Sequence, residues 1–493
     1  MKSKDGYLHI LKYTGLFGGV QGMGILLNLV RNKFVALLLG PAGIGLISLY
    51  NTALNFVSQA TNLGISFSAV RHLSELNDAG DKVHFARYVQ VVRGWSLLTG
   101  LVGMLVFAIF GPLVCSTLLK WGEHTLAFVM LSPIVFMTAI TGGETAILKA
   151  TRKLKPLALV QLISVVAALV SSLPLYYFFG MAGVVPVLII VATVTTIFTL
   201  HASCQDYPYF FRGSLGVLGE GMEMVRLGVA FVMAGIFGSG AEMLIRTYLN
   251  ANGNLDVVGL YNAGYMLTIT YAGMVFSAME TDYFPRLSAV NHDIEAMNVT
   301  VNRQIEVSIL LISPMLAFLI VVLPVLLPLL YSRCFMDVVV MGQIAVFSMY
   351  FKAITLPIEY INLAKGASRS YLFLEALFDI LMVVFVVYGY LLWGLWGTGL
   401  ALSLAYFVNM LIVLGFVYWH YHYVLSRFVL ICVIVQYGLG VLAYATTFLS
   451  VEWVRWVVGL SIVLISGCLS LYIIICKKTP IWNVLKKKLL HHD

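Results

Sequence analysis

Four cations sit where a lipid-embedded chain tolerates them least. Arg31 and Lys33 interrupt an otherwise apolar run over residues 16–39, in the local order Asn28, Leu29, Val30, Arg31, Asn32, Lys33. Arg246 occupies the matching segment of the second half, and Lys352 lies near the middle of a later apolar run. A charge at such depth costs about 2.5–3.5 kcal/mol on insertion scales, so it faces a wet cavity or a partner, and by default it marks the path of an anion. Arg31 lies roughly 13 Å from the outer end of its span at 1.5 Å per residue, which argues against snorkelling. Asn28, Arg31 and Asn32 share one helical face by their spacing, while Lys33 points elsewhere. Pairing with a carboxylate is the alternative role. For Arg246 that alternative is concrete, because Glu242 stands one turn earlier.

Neutral polar residues surround these cations. Ser48, Asn51, Thr52, Asn55, Ser58, Gln59, Asn62 and Ser66 form a stripe of helical period in the second apolar segment. Each lone amide in lipid costs kilocalories, so the stripe either glues helices together or lines a cavity for polar cargo such as sugars. Tyr261, Asn262, Tyr265, Thr268 and Tyr271 repeat the theme in the second half, where the rings suit sugar stacking or ordinary packing. Among the acids, Glu280 and Asp282 read as helix-end or gate charges. Glu144 and Glu359 read as caps of interior salt bridges, or as proton-linked groups, since buried carboxylates hold protons more tightly. Glu375 and Asp379 share a helical face and carry the same two readings.

The elements that position these residues follow from composition. The chain has 493 residues, of which 60% are hydrophobic and 11% charged. Its mean hydropathy is +0.94. Soluble domains carry about 25% charged residues, so this is an all-α polytopic membrane protein. Fourteen spans are expected, near 11–39, 43–70, 88–111, 125–148, 157–179, 182–203, 224–250, 256–284, 304–331, 341–363, 371–391, 394–419, 427–449 and 454–476. Of the loop cations, 23 fall on one side and only Lys120, Arg333 and Arg455 on the other. That bias puts both termini in the cytoplasm. The N-terminus reads as a cytoplasmic end without a cleavable signal. The +8 net charge therefore belongs to loops rather than to a nucleic-acid surface.

The halves match at an offset of 214–216 residues. Arg31 aligns with Arg246, Gly45 with Gly259, Glu144 with Glu359, and the run starting at Gly180 with that starting at Gly394. An even number of spans per unit makes these parallel repeats about an axis along the membrane normal. The expected organisation is a six-helix lobe over 1–212, a second over 213–424, and two extra helices with a basic tail over 425–493. The six cysteines are scattered, without metal-ligand or redox spacing. No P-loop, HExxH or GxSxG occurs, so neither an enzyme nor a cofactor or metal site is implied.

Leu39-Gly-Pro41-Ala-Gly43-Ile-Gly45-Leu46 after a basic first helix resembles the Wzx-type polysaccharide flippases. So do Val258-Gly-Leu260-Tyr-Asn-Ala and Tyr283-Phe-Pro285-Arg286-Leu287. These flippases belong to the multidrug/oligosaccharidyl-lipid/polysaccharide (MOP) exporter superfamily. The resemblance implies two lobes around a central cavity in the bacterial inner membrane. It implies transfer of an undecaprenyl-diphosphate-linked oligosaccharide, an O-antigen or capsule repeat unit, from the cytoplasmic to the periplasmic leaflet. Polysaccharide polymerase and chain-length proteins would be partners alongside membrane lipid. Many such proteins have twelve spans, so the two extra ones depart from the pattern; the lipid II flippase branch also has fourteen. In that setting Arg31, Lys33, Arg246 and Lys352 would hold the diphosphate, and Asn28, Asn51, Asn55, Gln59 and Tyr265 the sugars. Rival readings are a multidrug exporter of the same superfamily, a polysaccharide polymerase or ligase, and a structural scaffold. The exporter would want carboxylates in place of deep cations. The polymerase would want a large periplasmic loop. The scaffold does not explain charge at mid-membrane.

Overall fold

A computed structural model describes residues 2–117, 124–205, 207 and 218–476, with side chains from residue 20 onward apart from short stretches, chiefly within 113–117, 225–231 and 277–282. The basic tail expected over 477–493 and Lys120 lie outside the described residues. Every regular element among the described residues is helical. Eight of these helices are long and apolar enough to cross a membrane, or nine if the bent pair Arg333–Ala345 and Phe347–Ala364 forms one span. The chain divides into two compact units, Met1–Gly259 with Leu330–Ser332, and Leu260–Leu329 with Arg333–Asp493.

The first unit contains α1 (Lys2–Thr61), α2 (Ile65–Ala79), α3 (Lys82–Thr117), α4 (Thr125–Ala150), α5 (Leu154–Phe179), α6 (Val184–Cys204), α7 (Met222–Asn252) and the start of α8 (Leu255–Tyr265). As a straight rod, the 60 residues of α1 would run about 90 Å, three times a ~30 Å hydrocarbon core. The element is broken at Gly40 (φ 66°, ψ −167°), just before Pro41, and the second part, residues 41–61, is close to membrane length at about 32 Å. The polar second segment ends at Thr61 rather than running to residue 70. A separate amphipathic helix, α2, then occupies much of what the sequence suggests is a loop. Ile65, Ala69 and Leu73 of α2 are fully buried against Phe85, Val89 and Val92 of α3 and Ala146 and Ile147 of α4.

The second unit contains the rest of α8, a π-helical turn (Met266–Tyr271), α9 (Ala272–Ala289), α10 (Ile294–Leu330), α11 (Val339–Ala345), α12 (Phe347–Ala364), α13 (Ser368–Tyr421), α14 (Arg427–Ala445) and α15 (Glu452–Cys476). Its core is one cluster running from Phe276 and Tyr283 of α9, through Ile305, Ile309 and Ile312 of α10, to Tyr350 and Ile354 of α12 and Val413 of α13. Ser426 begins α14 by accepting the Val429 amide at 3.3 Å, the usual service of an N-cap serine. The two last helices are tied by Gln436, whose Nε2 donates to Ser470 Oγ at 2.9 Å while Ser466 Oγ donates back to its Oε1 at 2.6 Å. The same pair packs on α10, where Ala317 and Val321 are buried with Ala443, and Trp456 covers them.

The internal repeat has a geometric signature. Gly180 (φ 55°) and Gly394 (φ 63°) both turn the chain through a left-handed conformation that residues with a Cβ rarely adopt. A methyl group on Gly183 would come within 2.6 Å of the Leu175 carbonyl oxygen, and one on Gly389 within 2.6 Å of that of Gly397. Residues eight apart in a straight helix are about 12 Å distant, so α5 and α6 reverse at Gly180, and the two parts of α13 reverse at Gly394. These hairpins match residue for residue at an offset of 214. Gly45 and Gly259, paired at the same offset, meet directly. A methyl on Gly45 would strike the Leu255 carbonyl, and one on Gly259 the Pro41 carbonyl, a reciprocal contact with local two-fold symmetry. Aromatic residues flank both hairpin tips. Tyr177, Phe178 and Phe179 are exposed at the first, and Trp393 and Trp396 at the second. Such rings favour the membrane–water boundary.

Candidate functional site

In the first unit the sequence-predicted cations fall into distinct environments. Arg31 is half-buried in α1 and faces Tyr176 of α5, which is 2% exposed. The two lie within electrostatic reach. Among the described residues the enclosed Nε of Arg31 has no hydrogen-bond partner. An unsatisfied buried donor costs roughly 1–3 kcal/mol, and more when charged, so Arg31 holds unused binding capacity. Asn28 and Lys33 are half-buried on the same helix.

Arg246 has no such spare nitrogen at Nε. It is 5% exposed, donates from Nε to Ser48 Oγ at 2.8 Å, and meets Glu242 Oε2 at 3.2 Å through Nη1. It thereby couples α7 to the polar segment of α1. Along that segment Asn51, Asn55 and Gln59 are exposed, whereas Thr52, Ala53 and Leu54 are buried. The exposed amides recur every four residues and so occupy one face. Three amides on the open face of an apolar, membrane-length helix are costly against hydrocarbon and natural against water or polar cargo.

Glu144 is far from being a lone acid. Its carboxylate receives Arg93 Nε at 2.7 Å and Arg93 Nη2 at 3.0 Å, and both side chains are almost fully buried, at 1% and 2% exposure. Arg93 Nη1 also donates to the Tyr207 carbonyl at 2.9 Å. Arg93, counted in sequence among the inner-side loop cations, is in fact an interior residue of α3 that ties α4 and the end of α6 together.

In the second unit Lys352, Glu359 and Glu375 come together. Glu359 lies in electrostatic reach of both other residues and accepts a hydrogen bond from Asn409 Nδ2 at 3.1 Å. Lys352 Nζ sits 3.9 Å from where a Cβ would stand on Gly273, in the space that this glycine leaves on the first turn of α9. Tyr406 borders the same acids together with Tyr261 and Tyr265, which stack on one another at 5.9 Å. Asp379 is buried one turn beyond Glu375. The tyrosine stripe ends in the π-helical turn Met266–Tyr271, where the helix is locally overwide; such turns concentrate at functional sites. The side chains of Glu280 and Asp282 lie outside the described residues. Sequence reasoning missed Arg93, Tyr176, Tyr406 and Asn409. Of these, only Asn409 carried a visible signal, as an amide inside an apolar span.

A family model described as polysaccharide biosynthesis protein matches residues 34–340, more than half of the chain. No curated protein matches it. Among solved structures, the lipid II flippase MurJ in an inward closed conformation superposes with a TM-score of 0.72 at 15% identity, covering 93% of this chain and 99% of that one. An inward-facing multidrug resistance MATE family transporter of the MOP superfamily gives 0.67 at 14% identity, over 81% and 94%. A MOP superfamily transporter from Pyrococcus furiosus, described as having a binding pocket of reverse polarity, gives 0.56 at 15%, over 82% and 93%. At such identities these are likenesses of fold, and the fold is that of MOP superfamily transporters. The protein is a multi-pass membrane protein, and it belongs to the polysaccharide biosynthesis protein family.

Proposed function

We propose that this protein is a flippase carrying an undecaprenyl-diphosphate-linked oligosaccharide, an O-antigen or capsule repeat unit, from the cytoplasmic to the periplasmic leaflet of the inner membrane. The observation that carries the reading is the enclosed Nε of Arg31, without a hydrogen-bond partner among the described residues, on a helix long and apolar enough to cross a membrane. Guanidinium is the group best suited to hold phosphate oxygens, often through two parallel N–H donors. Arg31 binds the diphosphate, with Lys33, Lys352 and Arg246 along its route. Asn28, Asn51, Asn55, Gln59 and Tyr265 meet the sugars. The chain crosses the membrane fourteen times with both termini in the cytoplasm. Residues 1–212 and 213–424 form two six-helix lobes that alternate access, and 425–493 adds two further helices and a basic tail. A polymerase and a chain-length protein take over the delivered unit. The carboxylates Glu359 and Glu375 beside Lys352 favour a second reading, a multidrug exporter whose cargo is cationic. In cells, Arg31→Ala leaves the protein inserted but abolishes surface polysaccharide and accumulates the lipid-linked unit on the inner leaflet. Normal surface polysaccharide in that strain overturns the flippase reading, and lost dye efflux with normal polysaccharide establishes the rival.

A further inference from the structure

One cavity of the first unit has no cation among its described lining residues. It has a volume of about 720 Å³ and is walled by α1, the first turns of α4 and α6, and the hairpin tip between α5 and α6. This is well within the size range of small-molecule sites, about 300–1,000 Å³. Among the described residues, ten of the twelve that line it are apolar and none is a carboxylate, Lys or Arg. Its polar feature among the described residues is the pair of Tyr50 and His124, whose hydroxyl and Nδ1 stand 2.8 Å apart. Leu126, Met130, Met181 and Ile190 on the rim are exposed at 38–65%, on the surface of an apolar bundle. The cavity has an apolar rim, and its wall, uncharged among the described residues, complements a neutral chain.

We propose that this cavity docks the polyprenyl tail of the lipid-linked cargo, an inference that rests on the flippase reading. Its argument is continuity. Leu46 and Tyr50 line the cavity from the same α1 segment that bonds Arg246 through Ser48 and exposes Asn51, Asn55 and Gln59. Tail and polar head of one amphiphile then address different faces of a single helix. The head moves along the amides while the tail stays anchored beside them. Met130 and Met181, flexible and unbranched, adapt to a methyl-branched chain. The Tyr50–His124 pair closes the polar end of the slot, so the tail does not have to desolvate a lone hydroxyl.

The test uses the full-length protein in phosphatidylethanolamine/phosphatidylglycerol nanodiscs and a diazirine-bearing polyprenyl phosphate without sugars. Crosslinks are expected in peptides over 124–130 and 181–190. Ala127→Trp and Ala182→Trp fill the slot, and each lowers labelling there by about ten-fold or more, as expected for blocking a hydrocarbon pocket. Ala182 is exposed, so its variant keeps the test valid should Ala127→Trp fail to fold. A diazirine phosphatidylglycerol labels these peptides weakly. Equal labelling by that probe, or labelling that ignores both tryptophans, overturns the assignment. Prenyl labels confined to other peptides also overturn it while sparing the flippase reading. No prenyl labelling anywhere in the protein overturns both.

Discussion

Replacing Glu144 by Gln tests how the first unit is held together. Arg93 uses Nε and Nη2 on the two carboxylate oxygens at 2.7 and 3.0 Å, and Nη1 on the Tyr207 carbonyl at 2.9 Å. Glutamine keeps the shape but removes the charge and one acceptor. The guanidinium is then left ionised at 2% exposure without the Glu144 charge. Breaking a buried pair in this way costs about 3–5 kcal/mol. At roughly 2–4 °C per kcal/mol for a unit of this size, the thermal midpoint falls by roughly 6–20 °C. The apolar double replacement Arg93→Met/Glu144→Leu removes both charges together and regains most of that loss, because neither ion is then stranded. Thermal unfolding of the detergent-solubilised variants, followed by size-exclusion recovery after heating, reads all three. If Glu144→Gln unfolds with the wild type, or the double variant is less stable than Glu144→Gln, the pair is not the clamp described.

Other expectations follow from contacts elsewhere. Gly45→Ala and Gly259→Ala each drive a methyl into a facing carbonyl and lower stability by about 1–3 kcal/mol, with the loss read as a reduced midpoint in the same heating assay; unchanged midpoints would show that the repeat-related segments do not cross there. Gln436→Leu breaks the polar tie to Ser466 and Ser470 and weakens the α14–α15 pairing by roughly 0.6–1.7 kcal/mol, visible as faster amide exchange in α15. Asp81 caps α3 by accepting the His84 amide at 3.0 Å, and this bond, with the His84 side chain beside it, holds its carboxyl below the usual 3.8. The sign follows: the cap contributes above pH 3.8 and is lost as pH falls through the lower folded value. Proteolysis at the α2–α3 junction is therefore faster for Asp81→Ala than for wild type at pH 7, and the difference shrinks below pH 3.8.

What the sequence disclosed depended on contrast. Arg31, Lys33, Arg246 and Lys352 stood out because apolar residues flank them, and the Gly180 and Gly394 hairpins because one glycine pattern recurs at one offset. Those signals are local, and local signals survive without coordinates. Arg93 was hidden for the opposite reason. It lies near the inner end of its span, where cations are ordinary, and its partner is 51 residues away. The facing of Arg31 and Tyr176, and of Tyr50 and His124, likewise joins distant segments that no periodicity links. The π-helical turn at Met266–Tyr271 has no compositional marker, since an extra residue per turn alters register and leaves the apolar pattern intact. Helix α2 was obscured because its charges, including Arg71 and Glu75, read as a loop until their i, i+4 spacing is seen on one face.

Transbilayer movement of the cargo itself tests the central claim most directly. Purified protein is placed in liposomes with an undecaprenyl-diphosphate oligosaccharide bearing a fluorescent sugar, and an external quencher reports arrival at the outer leaflet. The account predicts exchange that needs the wild-type protein and disappears with Arg31→Ala. Exchange undiminished by Arg31→Ala, or no protein-dependent exchange at all, would contradict it.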